Sequence, residues 1–214
     1  MITKKAERHQ VTEAGKDAPD TMRGGMVLSE KQRLFIGLAV PDDVRRQLLM
    51  RLDGWRERFA FARWAHPDDW HITLHFIGET DADRIPAIVR ALDESAAGAR
   101  PFDVELRGLG TFGPPARPAV LHVLPAGRLE PLRALHAALG SALAQAIGFQ
   151  PDARPYRPHL TLARKYAGAA PWNPASAAAE TFGASWTARD ACLFRSRLGH
   201  FPMYEILHRA PFGE

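Results

Sequence analysis

WHITLHFIG at residues 70–78 and RPHLTLARK at residues 157–165 each carry the sequence His-x-Thr-Leu, and the reading of these two stretches decides the fold. Polar and apolar residues alternate in both, which is the period-two pattern of a strand. His71 and Thr73 therefore project to one face of their strand, and His159 and Thr161 to one face of theirs. Ile72, Leu74, Leu160 and Leu162 point the other way, into apolar packing. The chain holds nine histidines, and no other is followed by x-Thr-Leu. Two such occurrences by chance are on the order of one in a thousand.

Upstream of each motif the chain runs through the same order of elements. RLFIGLAVP (33–41) is a short apolar run closed by proline, read as a buried strand. Asp42 is expected to cap a helix whose inward face carries Val44, Leu48, Leu52 and Trp55. Residues 61–70 read as a loop into the first motif. AVLHVLP (119–125) repeats the strand with its terminal proline. A helix over 129–148 follows, with Leu132, Leu135, Leu139, Leu143 and Ile147 inward, then a proline-rich loop over 149–158. Phe35 precedes His71 by 36 residues and Leu121 precedes His159 by 38. Two copies of one supersecondary unit are the simplest account, and coincidental α+β ordering is the alternative. Between and after the copies, a helix is expected over 81–98 with Ile85, Ile88, Val89 and Leu92 as its stripe. A strand is expected over 102–112, a turn over 113–118, an Ala/Pro/Gly-rich connection over 167–180, and strands near 184–195 and 203–210. Residues 1–30 show neither period and are read as a disordered extension, leaving 31–214 as one two-lobed domain.

Composition is that of an ordinary globular chain, with 46% hydrophobic and 24% charged residues. Cys192 stands alone, so an intramolecular disulfide and a cysteine metal cluster are both excluded, and a reducing cytoplasm fits. No apolar run reaches 18 residues, so no membrane span is expected. The net charge of +4 falls entirely in residues 31–214, because five basic and five acidic residues balance in the first 30. A basic domain suits a phosphate ligand, and an arginine-rich composition explains it equally well.

Two imidazoles facing across a groove suit phosphodiester cleavage. One, neutral, takes a proton from attacking water, while the other, protonated, gives one to the leaving oxygen. The threonine hydroxyls can donate to the non-bridging oxygens, where charge grows in the transition state. A metal reading meets a geometric obstacle. His71 and His75 share a strand face but stand about 13 Å apart along it, too far to grip one ion. A local metal site on this strand is therefore rejected, and no cofactor is expected. A lone strand histidine is usually a packing or surface residue, and His66, His122, His136, His200 and His208 are read so.

The chain resembles the 2H phosphoesterase superfamily, and within it the RNA 2′,3′-cyclic phosphodiesterase branch of bacterial 2′-5′ RNA ligase-like proteins. The likeness covers about residues 33–212 and rests on RLFIGLAVP, WHITLHFIG, LGTFGPPARPAVLHV, RPHLTLARK and the closing LFRSRLGHFPMYEILHRAPF. It implies an α+β bilobal fold with two antiparallel sheets related by a pseudo-two-fold around a central groove, helices outside. It also implies metal-independent hydrolysis of RNA 2′,3′-cyclic phosphate ends to 2′-phosphates, with His71 as proton donor, His159 as acceptor, and Thr73 and Thr161 as phosphate ligands. Residue spacing alone does not order the two roles. Arg164 matches the Ala-Arg that often follows the second motif, and five residues beyond His159 it reaches the groove only through a twist or bulge. Trp70, Phe76 and Tyr156 are aromatics near the motifs whose commoner role is core packing or loop anchoring; as candidates to stack a base, Tyr156 stands foremost because it lies in the loop before the second motif. The expected partner is RNA ending in a 2′,3′-cyclic phosphate, with no membrane, and the chain is expected to act as a monomer. An RNA-end binding protein and a reversible ligase using the same groove are the rival readings.

Overall fold

The structure is a computed structural model that describes residues 31–214. The expected disordered extension, residues 1–30, lies outside the described residues. Nine strands and four helices follow in the order β1 (Lys31–Ala39), α1 (Asp42–Arg58), β2 (Phe61–Trp64), β3 (His71–Asp81), α2 (Ile85–Ala97), β4 (Phe102–Phe112), β5 (Val120–Ala126), α3 (Glu130–Ile147), β6 (Leu160–Tyr166), α4 (Pro174–Ala178), β7 (Gly183–Ala188), β8 (Asp190–Ser196) and β9 (Tyr204–Pro211).

All strand pairs are antiparallel, along the path β7-β4-β5-β6-β3-β1-β8-β9. The two expected sheets are joined into one nine-stranded sheet, whose path divides into halves of four strands each, with β2 paired to β6 beside it. The halves meet at a single paired position, Ile72 with Leu160, in the middle of the two motifs. Reading outward from that point, β3, β1, β8 and β9 of the first lobe correspond to β6, β5, β4 and β7 of the second. Register supports the correspondence residue by residue. Thr73 pairs with Gly37 and His75 with Ile36, while Thr161 pairs with His122 and Ala163 with Leu121. In each lobe one step on the inner neighbour spans two on the motif strand, so Leu74 and Leu162 are equivalent bulges. This alignment sets Ile36, not Phe35, opposite Leu121.

Two of the four helices exchange lobes. α1 leaves β1 of the first lobe and packs near β7 of the second, beside α4 on β4. α3 leaves β5 of the second and packs on α2 and β3 of the first. One core therefore runs through both halves. α1 buries Val44, Leu48, Leu52 and Trp55 as the helical period predicts, each worth roughly 1.5–3 kcal/mol of transfer free energy. Leu132, Leu135, Leu139 and Leu143 of α3 are likewise buried, whereas Ile147 sits at its margin.

Four local expectations need correction. Pro41, not Asp42, stands at the N-cap of α1. Asp42 is already in the first turn, where its carboxylate favours the helix dipole and holds Arg45 at 2.6 Å. Residues 61–70 are not all loop, because Phe61, Arg63 and Trp64 pair with β6 before a 3-10 turn at Pro67–Asp69. The expected 81–98 helix begins with a 3-10 turn, and its α-helix starts at Ile85. The strand expected over 184–195 is two strands broken at Arg189: β7 pairs with β4, and β8 pairs with β1. Among the described residues no helix is long and apolar enough to cross a membrane.

Candidate active site

The alternation inferred from sequence holds in both motifs. Ile72, Leu160 and Leu162 are wholly buried and Leu74 nearly so, while His71, Thr73, His159 and Thr161 are half-buried on the opposite face. Antiparallel register through Ile72 and Leu160 sets His71 across from Thr161 and Thr73 across from His159. The four side chains thus stand at the corners of a square, with histidines on one diagonal and threonines on the other. Strand dimensions make that diagonal roughly 8 Å between Cα atoms. Two imidazoles on such a diagonal can approach a group held between them from opposite sides. Gly37 lies beneath Thr73, and a Cβ there would come within 2.6 Å of the Ile72 carbonyl oxygen. Only glycine lets β1 run this close to β3.

Both imidazoles are oriented in the same way, each by the carbonyl two residues before it. His71 Nδ1–H donates to Asp69 O at 2.7 Å, and His159 Nδ1–H donates to Arg157 O at 2.8 Å. That leaves Nε2 of each ring to do chemistry. Thr73 Oγ1 lies 3.0 Å from His71 Nε2 and donates to it when the ring is neutral. Burial pushes His71 down from 6.5 to about 4. The Asp69 carbonyl and carboxylate oppose that shift, while His159 and Arg164 add to it. His159 is also lowered, by burial first and then by Arg164, with the Arg157 carbonyl opposing.

The surroundings of the two rings differ. His71 stands in an aromatic cage of Phe35 at 4.6 Å, Tyr204 at 5.1 Å and Phe194 at 5.6 Å between ring centroids. His159 meets Phe112 edge-on at 4.8 Å and His122 at 5.4 Å. Phe112 and Phe194 are equivalent positions, since Phe112 pairs with Val120 and Phe194 with Phe35. His122 is only 2% exposed, and its Nδ1 has no hydrogen-bond partner among the described residues. Burial pushes it to about 4, with the charge of His159 acting in the same direction. A Cβ on Gly110 would come within 2.7 Å of its ring, so Gly110 makes the space it occupies.

Arg164 reaches the groove through the Leu162 bulge. Leu162 and Ala163 are buried in succession, so Arg164 joins the face of His159 and Thr161. Its charge lowers the proton affinity of both histidines and acts on Tyr204 as well. The equivalent position in the first lobe is Phe76, which pairs with Phe35 as Arg164 pairs with Val120. Phe76 is 50% exposed, with the Arg33 guanidinium 5.0 Å from its ring centroid.

Beside Thr73 and His159 opens a cavity of about 930 Å³ whose wall includes Phe76, Phe112, His136, Phe149 and Tyr156. Tyr156 is engaged there. Its ring lies flat on His136 at 3.9 Å, and its hydroxyl donates to the Thr73 carbonyl at 2.9 Å. It ties the proline-rich loop to the first motif and keeps one ring face for packing. Trp70 is buried in the core, away from any stacking role. His75 faces α3 and not the side of His71 and Thr73: its Nε2 is 2.7 Å from His136 O, and its ring stacks on His136 at 4.1 Å. His136, read as a packing residue, belongs to the cavity wall. Among the described residues no three His, Cys, Asp or Glu side chains form a group able to hold a metal ion. Sequence reading missed Asp69, Phe112, His122, Phe194 and Tyr204, none of which carries a motif.

A bilobal antiparallel sheet with a His-x-Thr-Leu strand from each half defines the 2H phosphoesterase class. The sequence profile of the 2′-5′ RNA ligase superfamily matches residues 40–200, and the chain belongs to that family. It is 34% identical over 175 residues to a Bacillus subtilis (strain 168) protein named RNA 2′,3′-cyclic phosphodiesterase, covering 82% of this chain and 93% of that one. It is 30% identical over 188 residues to a Geobacillus stearothermophilus protein of the same name, covering 85% of this chain and 58% of that one. A solved structure from Thermus thermophilus superposes with a TM-score of 0.69 at 28% identity, over 85% of this chain and 99% of the other.

Proposed function

We propose that this protein opens RNA 2′,3′-cyclic phosphate ends to 2′-phosphomonoesters by two-histidine acid–base catalysis without a metal. The observation that carries the reading is the diagonal pair of imidazoles at the joint between the lobes, each with a threonine of the opposite motif across from it. His159 Nε2 takes a proton from water as the water oxygen bonds to phosphorus. The bond from phosphorus to the 3′-oxygen breaks, and His71 Nε2–H delivers its proton to that oxygen. The products are a 2′-phosphate and a 3′-hydroxyl, and the two histidines exchange protonation states.

Charge is supplied at the places where it develops. Thr73 and Thr161 donate to the non-bridging oxygens, and Arg164 adds a cation through its bulge. The donor role asks for a protonated His71, yet burial holds that ring near 4. An anionic cyclic phosphate beside it raises its proton affinity, as any near negative charge does. The similarity to relatives named RNA 2′,3′-cyclic phosphodiesterase supports the substrate class.

The test is hydrolysis of a 2′,3′-cyclic mononucleotide by His71→Ala and His159→Ala, with folding checked by circular dichroism. Each loses on the order of 10²–10⁴ in kcat, the span attributed to a positioned acid or base. Wild-type turnover in either folded variant would sink the proposal. Tight binding of cyclic-phosphate RNA without product would favour an end-binding protein instead.

A further inference from the structure

We infer that Asp69 is a positioning residue for this reaction, fastening the start of β9 over His71 so that one buried carboxylate orients and charges the proton donor. The inference rests on the reading of His71 as donor. Asp69 is 8% exposed and ends the 3-10 turn before the first motif. Its carboxylate accepts from Met203 N at 2.8 and 3.0 Å, and from Tyr204 N at 2.9 Å. Its carbonyl accepts from His71 Nδ1 at 2.7 Å. One residue therefore grips the ring from behind and holds the strand that covers it. Tyr204, placed by that grip, meets the His71 ring edge-on, 87° between planes, and meets Phe35 in the same manner.

A buried carboxylate is expensive unless its lone pairs are satisfied, and three backbone contacts satisfy this one. Its role in the fold alone would be to tie a hairpin to a turn. The position of the turn gives it more. Met203 and Tyr204 lie 134 and 135 residues along the chain from Asp69, so the contact is a tertiary clamp and not a local turn. The second lobe shows what the site is like without it. Arg157 occupies the equivalent place before His159 and offers the same carbonyl, but its side chain is exposed, and among the described residues the rings that flank His159 are Phe112 and His122, on β4 and β5, with none from β7, the counterpart of β9.

The clamp bears on the donor in two ways. It fixes the Nδ1–H tautomer through a carbonyl that is itself held, which aims Nε2 at the groove. It also sets a negative charge beside a ring that must be protonated to act. The groups facing His71 are the Asp69 carboxylate, His159, Arg164 and the Tyr204 phenol, and Asp69 is the anion among them.

The experiment measures kcat and KM against pH for 2′,3′-cyclic CMP with wild type, Asp69→Asn and Asp69→Ala. The asparagine oxygen can still accept from Met203 and Tyr204 but carries no charge. Activity that needs protonated His71 is lost as pH rises through its pKa in the complex. Without the carboxylate that pKa drops, so the alkaline fall of kcat moves to lower pH in Asp69→Asn. Asp69→Ala is expected to lose about 10- to 100-fold in kcat, with KM within about threefold of wild type. Partial rescue in Asp69→Asn with a displaced pH limb supports the inference. An unchanged kcat in Asp69→Ala, or equal losses in both variants with the limb unmoved, overturns it. Should Asp69→Ala fail to fold, the pH limb of Asp69→Asn decides alone. If wild type turns over no cyclic phosphate, the parent reading fails. The inference is then decided by nitrogen NMR of the His71 ring: a lower His71 pKa in Asp69→Asn upholds the charge coupling, and an unmoved one removes it.

Discussion

The two lobes share a frame and differ in what they hang on it. In each, a His-x-Thr-Leu strand bulges at its leucine, a carbonyl two residues upstream holds the imidazole, and a phenylalanine from the next strand but one flanks the ring. The first lobe then adds Tyr204 and Asp69 and places Phe76 after its bulge. The second adds His122 and places Arg164 there. The frame accounts for two histidines on a diagonal. The dressing makes their surroundings unequal, as the proposed division into acid and base requires. Burial works against protonating both rings, but among the described residues an anion stands by His71 and none is seen acting on His159.

That comparison can be broken most sharply at the diagonal itself. If the histidines act in one concerted step, the double variant His71→Ala/His159→Ala should lose little more kcat than the worse single variant, itself down by on the order of 10²–10⁴. Multiplicative losses, read in single-turnover assays, would mean that the two act in separate steps. The next largest effect is expected where the bulges differ. Arg164→Ala should lower kcat by roughly 10- to 100-fold through lost transition-state charge. Phe76→Ala at the equivalent position should leave kcat within about threefold, and equal losses would erase the distinction between the lobes.

Stability probes the frame apart from the chemistry. Gly37→Ala drives a methyl onto the Ile72 carbonyl, where backbone must move, and should destabilise by about 1–3 kcal/mol. Gly110→Ala meets the His122 ring instead, a side chain and not a backbone carbonyl, and should lower Tm less. The reverse order in thermal melts would contradict the close packing of β1 on β3. The fold also gives stability a pH dependence. His71, His122 and His136 are each pushed to about 4 from 6.5, chiefly by burial. Between these values the unfolded chain binds more protons than the folded one. Stability from this source is complete above about 6.5 and declines as pH falls toward about 4. His122→Phe should flatten part of that slope in denaturant titrations, and an unchanged slope would show that His122 is not held neutral by the fold.

Much of this was legible in sequence because strand alternation is local. His71, Thr73, His159 and Thr161 fall on one side of their strands by period alone, and the helices announce their buried faces by spacing. What was not legible depends on partners distant in the chain. The bulges at Leu74 and Leu162 exist only against the register of β1 and β5, so the groove position of Arg164 could be posed as a condition but not decided. β2 is four residues whose pairing lies about 100 positions away on β6. The break at Arg189 separates strands that go to opposite ends of the sheet, and nothing in the alternation of 184–195 marks it. Asp69 sits beside Asp68 with the same side chain, and only the arrival of Met203 and Tyr204 distinguishes them.

The central claim is that these two histidines open a cyclic phosphate with no metal, and phosphorus NMR on an oligoribonucleotide ending in 2′,3′-cyclic phosphate tests it most directly. With wild-type protein in excess EDTA, the cyclic resonance should be replaced by that of a 2′-phosphomonoester. A 3′-phosphomonoester, or turnover that stops in EDTA and returns on adding a divalent metal, would contradict the account.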